Sequence, residues 1–280
     1  MNAINIKDLS KSFDEFSLKD VSLSLPQGSI MGLIGENGSG KTTLVKLILD
    51  ALHKDSGSIE VLGNAQDKNF HLVKEDLGIV FDNMGISDVF TVKDVEKVMS
   101  GIFKNWDKEE FLSLVEKFKI PQKTKFKELS KGNKMKLGIS VALSHKAKLL
   151  ILDEPINGLD PAVRDDFLNI LWDFTRQEDH SILISSHIVS DLEKICDYIT
   201  FLHEGKVIFS DEKDKILERY GILNCTLDNY NDLDKSIVIG CRKNPYGAEV
   251  LINRENISNA LQVRGASLEE IFIYTVKGEM

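Results

Sequence analysis

Gly35-Glu36-Asn37-Gly38-Ser39-Gly40-Lys41-Thr42-Thr43 fits, with no mismatch, the pattern of a phosphate-binding loop: spaced glycines closed by Gly-Lys-Thr. Its flanks have the required context. Upstream, Ser29-Ile30-Met31-Gly32-Leu33-Ile34 is a short apolar run of the kind that forms a buried strand, entered through the turn residues Pro26, Gln27 and Gly28. Downstream, Leu44, Val45, Leu47, Ile48, Leu49 and Leu52 recur at helical spacing. A strand, this loop and then a helix is the arrangement in which the motif binds phosphate. Gly35, Gly38 and Gly40 let backbone N–H groups turn inward, and the positive end of the helix adds its dipole. Lys41 then reaches the terminal phosphates, and the Thr42 hydroxyl is placed to ligate Mg²⁺.

Before the loop, Ile4-Asn5-Ile6 and Val21-Ser22-Leu23-Ser24-Leu25 read as antiparallel strands. Phe13 and Phe16 lie between them; either could stack on a nucleotide base or pack into the core, and the residues alone favour neither. After the loop, Gly57–Gly63 and Leu77–Phe81 read as further strands, the second delivering Asp82 onto a loop. The period then changes. Val92, Val95, Val98, Met99, Ile102, Phe103 and Trp106 form a helical stripe opened by Thr91 with Asp94 three residues on, a stripe expected to pack as core. Asp107 with Glu110 starts a second helix, with Pro121 as its expected end. Residues 85 to about 147 therefore read as an all-helical insertion. It closes on Leu129-Ser130-Lys131-Gly132-Asn133 and a helix, where Ser130 is an N-cap and the helix start a potential anion site. Lys123, Lys125, Lys127, Lys131, Lys134 and Lys136 make a cationic run, read either as a solvated face or as a surface for an acidic ligand or a membrane-proximal partner.

Leu149-Leu150-Ile151-Leu152-Asp153-Glu154-Pro155 is the second strong signal. Four consecutive aliphatics make a strand buried on both faces, and its exit sets two carboxylates side by side. Behind a phosphate loop, the first acid organises Mg²⁺ and the second positions or activates water. Gly158-Leu159-Asp160-Pro161 turns into a helix, and the apolar strand Ser181–Ser186 ends at His187. Strands of an open α/β sheet present ligand groups at their C-terminal ends, so His187 shares an edge with Asp153 and Glu154. A hairpin over 198–209 and a short helix near 211–220 follow. Residues 221–280 read as a small α+β appendage, with strand-like pieces at Ser236–Gly240 and Glu249–Ile252 and a final helix capped by Ser267 with Glu270.

The 280 residues carry a net charge of −9, which argues against a general nucleic-acid binder. Cys196, Cys225 and Cys241 are odd in number and lack metal-ligand spacing, as expected of reduced thiols. There is no N-terminal signal pattern, and every apolar run falls short of the ~18 residues of a membrane span. A function at a membrane would need a partner to supply the spanning part.

Taken together, these residues resemble the ATP-binding subunit of an ABC transporter, of the stand-alone bacterial type, over roughly residues 1–220. Gly35–Thr43 is similar to the family's Walker A loop, Leu149–Glu154 to Walker B, Leu129–Asn133 to the signature motif, Asn157–Asp160 to the D-loop and His187 to the switch histidine. The resemblance implies a phosphate-loop α/β core with a mixed sheet, an N-terminal antiparallel β subdomain and an inserted helical subdomain, occupying 1–220 with the accessory region at 221–280. It implies an ATPase using ATP and Mg²⁺. Glu154, His187 and Lys41 would be catalytic, and Thr42 and Asp153 would hold the metal. The nucleotide would meet Phe13, in preference to Phe16, the loop from Gly35 through Glu36, Asn37, Gly38, Ser39, Gly40, Lys41 and Thr42 to Thr43, and then Ser130, Gly132 and Asp160. The implied partners are a separate transmembrane permease and a second ATP-binding subunit, which would hold the chain on the inner face of the cell membrane. Two departures stand out: Lys131 and Asn133 replace a glycine and a glutamine of the signature, and Asp82 stands where the family carries a metal-sensing glutamine; its carboxylate could still bind the metal. The alternative is a soluble ABC-type ATPase or nucleotide-binding regulator with no membrane partner.

Overall fold

In the computed structural model, which describes residues 1–67, 70–81, 84–256 and 262–277, the strand ahead of the phosphate loop lies inside the main sheet. The chain opens with β1 (Asn2–Ser12) and β2 (Ser17–Pro26), then β3 (Ile30–Ile34) and α1 (Lys41–Ile48). β4 (Ser56–Val61), β5 (Asn64–Ala65), the single turn α2 (Phe70–Val73) and β6 (Leu77–Phe81) come next. Three helices, α3 (Val92–Ile102), α4 (Lys108–Lys117) and α5 (Lys131–Ser144), intervene before β7 (Leu149–Asp153) and α6 (Pro161–Phe174). Then follow β8 (Ser181–Ser186), α7 (Val189–Ile195), β9 (Tyr198–His203), β10 (Lys206–Glu212) and α8 (Lys213–Arg219). The last segment contains β11 (Tyr220–Cys225), α9 (Leu227–Asn231), β12 (Val238–Asn244), β13 (Gly247–Asn253), β14 (Val263–Gly265) and α10 (Leu268–Lys277).

The strands form three sheets, in the orders β2-β1-β4-β5, β10-β9-β3-β8-β7-β6 and β12-β13-β11-β14. In the second, β6, β7, β8, β3 and β9 run parallel and β10 closes the edge antiparallel. Parallel strands covered on both faces must be apolar throughout, and every residue of β3, β7 and β8 is buried. Because side chains alternate across a strand, these strands feed two cores. Ile30, Ile34, Leu150 and Leu152 face the helical insertion and α6, whereas Met31, Leu33, Leu149 and Ile151 face α1 and the first sheet.

The helical insertion starts with a capping box. The Thr91 hydroxyl accepts from Asp94 N–H, and the Asp94 carboxylate accepts from Thr91 N–H. Two expectations need correction. The helix begun at Asp107 ends at Lys117, several residues short of Pro121: Lys119 enters the left-handed region at φ 55°, a stop that hydrogen-bonded turn geometry imposes without proline. The apolar stripe of α3 is also only partly core, since Val92 and Val95 are buried but Ile102 is 59% exposed.

In the C-terminal segment, a strand that the residue pattern does not announce, β11, is the sheet's organiser, pairing with β13 on one side and β14 on the other. Ile222, Leu251, Leu268 and Ile271 belong to the same hydrophobic cluster as Leu192 of α7 and Phe201 of β9. The appendage is thus packed onto the main sheet's helices. Glu193 of α7 also accepts from the N–H of Leu268 at the start of α10 (3.2 Å).

Candidate functional site

The phosphate loop leaves β3 and enters α1 through Gly40, whose φ of 110° is one that L residues rarely adopt. A Cβ at this position would come within 2.7 Å of the Phe16 ring. Lys41, at the first position of α1, is 6% exposed. Its Nζ donates to the carbonyls of Gly35 (2.7 Å) and Glu36 (3.1 Å) and lies 3.3 Å from Glu154 Oε1. Two of the ammonium hydrogens therefore have carbonyl acceptors, and Glu154 supplies the opposite charge that a buried cation requires. A phosphate oxygen arriving in the loop can replace any of these partners without leaving the lysine unpaired.

The two acids sit where β7 ends. Asp153 Oδ2 accepts from the Thr42 hydroxyl at 2.8 Å, and Asp153 Oδ1 accepts from the Ser185 hydroxyl at 2.6 Å. Glu154 follows with φ 52°, a left-handed conformation that costs a non-glycine residue about 1–2 kcal/mol. It is anchored there through its own N–H, which faces the Ser185 hydroxyl (3.0 Å) and carbonyl (3.2 Å). The strain has a use: it swings the carboxylate away from β7 and back over the loop, where Oε2 meets His187 Nδ1 at 2.7 Å and Oε1 meets Lys41. Lys41, Thr42, Asp153, Glu154 and His187, the residues that the motifs single out, thus converge at one edge of the sheet.

Ser185 is not among them, because a serine inside an apolar strand gives no sequence signal. Its part arises from strand register, in which Asp153 lies opposite Ser185.

The donor set suits Mg²⁺. Thr42 Oγ1 and Asp153 Oδ2 are hard oxygens held side by side, and a nucleotide-bound Mg²⁺ takes only one or two ligands from the protein. Two carboxylates against one lysine also leave the pocket short of the positive charge that a triphosphate needs.

A cleft of about 560 Å³ opens over these groups, lined by Glu15, Phe16, Asn37, Gly38, Gly40, Lys41, Thr42, Thr43 and Glu154. Of the loop residues between, Ser39 is buried, its N–H bonded to Glu36 O (3.2 Å). Phe16 lines the cleft. Phe13, the aromatic preferred from family position, is 44% exposed beside it, with ring centroids 6.5 Å apart. Ser130, Gly132 and Asp160 lie elsewhere, at the starts of α5 and α6. The Ser130 hydroxyl caps α5 through Asn133 N–H (3.2 Å), Asp160 caps α6 through Val163 N–H (3.1 Å), and Gly132 packs on Val163. Ser130 and Asp160 are exposed. Within the cationic run, Lys134 lies over the Phe126 ring and Lys136 pairs with Asp166 at 3.6 Å. Asp82 lies outside the described residues; the strand before it ends at Phe81, opposite Asp153.

The chain has many relatives among known proteins. The ABC transporter family profile matches residues 18–157. The chain is 34% identical over 218 residues to the ABC transporter ATP-binding protein YtrB of Bacillus subtilis (strain 168), covering 78% of this chain and 74% of that one. It is 33% identical over 210 residues to the bacitracin transport ATP-binding protein BcrA of Enterococcus faecalis, covering 73% and 68% respectively. Among solved structures, the ATP-binding subunit of an ABC transporter superposes with a TM-score of 0.70 at 24% identity, over 77% of this chain and 92% of that one, a likeness of fold.

Proposed function

The chain belongs to the ABC transporter ATP-binding family, an ATPase that powers transport, and from that premise we propose which residues bind and hydrolyse ATP and how the work is passed on. The observation that carries the reading is the convergence of Lys41, Thr42, Asp153, Glu154 and His187 over one cleft. The loop N–H groups and Lys41 hold the β- and γ-phosphates. Thr42 and Asp153 hold the Mg²⁺ that accompanies the nucleotide and offsets its charge. As Lys41 turns to phosphate, Glu154 is released to accept a proton from water, whose oxygen attacks the γ-phosphorus while the bond to the β-phosphate oxygen breaks. His187, hydrogen-bonded to Glu154 before nucleotide arrives, exchanges that partner for the transferring phosphoryl and donates its N–H there.

This arrangement covers the γ-phosphate from one side only. Ser130, Gly132 and Asp160 are separate from the cleft, at helix starts that carry positive dipole. We propose that they complete the site of a second subunit, so that two ATP molecules are enclosed between two head-to-tail copies or between this chain and a paralogue. Closure would move the helical insertion against a separate transmembrane permease. That contact would keep the chain at the inner face of the membrane, since no helix among the described residues is long and apolar enough to cross one. Likeness to bacitracin and lantibiotic transport ATP-binding proteins supports a peptide-antibiotic transporter as the assembly.

Ser130→Arg tests the second half of the site. The variant should bind ATP as a monomer with unchanged affinity and fail to dimerise when ATP is added, measured by light scattering with a hydrolysis-blocked background. ATP-driven dimerisation at the unmodified level would count against the shared site.

A further inference from the structure

Ser185 touches nothing in the cleft: it is fully buried at 0% exposure, and it stands two residues before His187 on β8. Its hydroxyl has one hydrogen and spends it on Asp153 Oδ1 at 2.6 Å. A lone pair of the same oxygen receives the N–H of Glu154 at 3.0 Å. One atom therefore joins the carboxylate that faces Thr42 to the backbone of the acid that faces Lys41 and His187. The neighbouring Ser186 shows the contrast, since its hydroxyl accepts from the N–H of Ile188 (2.9 Å), within the local turn.

The terminal torsion of an aspartate is broad and roughly two-fold, so the main chain of β7 does not by itself decide which way the Asp153 oxygens point. With Oδ1 tied to Ser185, Oδ2 is left toward Thr42 Oγ1. Without the tie, a buried carboxylate oxygen would lack its donor and the group would turn to find another. Glu154 would also lose one of the two acceptors that hold its N–H at φ 52°. We propose that Ser185 is a positioning residue for the metal half of the site, setting the Asp153 carboxylate for the Mg²⁺ of the nucleotide and, through the Glu154 backbone, the seat of the water. This rests on the reading of Thr42 and Asp153 as the metal-holding pair.

The test compares ADP binding by the full chain, by calorimetry in EDTA and in saturating Mg²⁺, with Mn²⁺ electron paramagnetic resonance as a direct measure of metal affinity in the ADP complex. Ser185→Ala should weaken Mn²⁺ affinity and the Mg²⁺ enhancement of ADP binding by about tenfold, the cost usual for removing an outer-shell partner, while affinity in EDTA stays within about twofold. Ser185→Thr, which keeps the hydroxyl, should retain the enhancement. Ser185→Cys, nearly the same size with a weak donor, should show the same selective loss and replaces the alanine variant if that one fails to fold. Equal losses in EDTA and Mg²⁺, or an enhancement unchanged in both the alanine and cysteine variants, would overturn the proposal. Asp153→Asn separates the two readings. If it too keeps the enhancement, the metal assignment falls; if it loses the enhancement while Ser185→Ala keeps it, only the role of Ser185 falls.

Discussion

At the scale of single residues, the site is a set of mutual restraints rather than a row of free catalytic groups. Glu154 is clasped between Lys41 and His187, and Lys41 donates to two loop carbonyls and forms an ion pair with that same glutamate. Under the proposed mechanism Glu154 stays paired until phosphate draws the lysine away, which would couple readiness for hydrolysis to nucleotide binding. Glu154→Gln retains the shape and a hydrogen bond to His187 but cannot take a proton from water. Loss of a general base typically costs 10²–10⁴-fold in rate. Turnover should therefore fall by at least about a hundredfold, with ATP affinity preserved and an ATP-bound dimer accumulating, as measured by single-turnover hydrolysis and size-exclusion chromatography. Near-normal turnover would remove Glu154 from this role. The aromatic beside the loop shows how position and packing diverge: family position points to Phe13, whereas Phe16 is the ring that packs over Gly40 and lines the cleft.

Secondary-structure elements bring these residues together through ties that no motif records. Arg164 near the start of α6 pairs with the buried Asp191 of α7 at 3.0 Å, linking the segment after Asp160 to the helix after His187. At the other end of α5, His145 lies buried against the Phe103 ring, with centroids 3.9 Å apart, and its two nitrogens face the carbonyls of Val141 (3.0 Å) and Leu77 (3.1 Å). Burial disfavours the charged ring and lowers its pKa below the ordinary 6.5, against the opposing pull of those carbonyls and of Glu75 and Asp76. The sign follows: below pH 6.5 the unfolded chain takes up a proton that the folded chain refuses, so stability present above 6.5 is lost as the pH falls toward the folded-state value. Urea unfolding should show a declining free energy between pH 7 and 5, and His145→Gln should remove that part of the decline. A pH slope identical in the two proteins would exclude His145 as its source.

For the whole molecule, the unit of stability extends beyond the nucleotide-binding sheet. The appendage shares one hydrophobic cluster with α7, β9 and the helical insertion, and the Phe272 ring packs on Phe201 with centroids 5.0 Å apart. Removing a fully buried isoleucine side chain leaves a cavity worth about 2–5 kcal/mol. Ile271→Ala, at 0% exposure, should therefore lower the melting temperature by roughly 4–10 °C in one calorimetric transition. Separate transitions for the appendage and the sheet would show that the two fold independently. The same packing places α10 against the helix that follows His187, so the C-terminal segment bears on the His187 side of the cleft.

The amino-acid sequence is sufficient for everything carried by contiguous residues. The phosphate loop, the paired acids and the strand-end histidine each combine a local conformation with its chemistry, so Lys41, Thr42, Asp153, Glu154 and His187 are legible from the order of residues alone, as are the α/β core and the helical insertion. What needs the tertiary structure is what strand register and packing create between distant segments. Ser185 matters only because β7 and β8 align it with Asp153. Ile102 is exposed although its helical period matches the buried Val95, because a stripe specifies a face but not how much partner surface covers it. β11 escapes a reading by pattern because its short run gains meaning only between β13 and β14. Local pattern reports backbone conformation and chemical type; which hydroxyl meets which carboxylate is settled by contacts across 32 residues of chain, to which no window of sequence is sensitive.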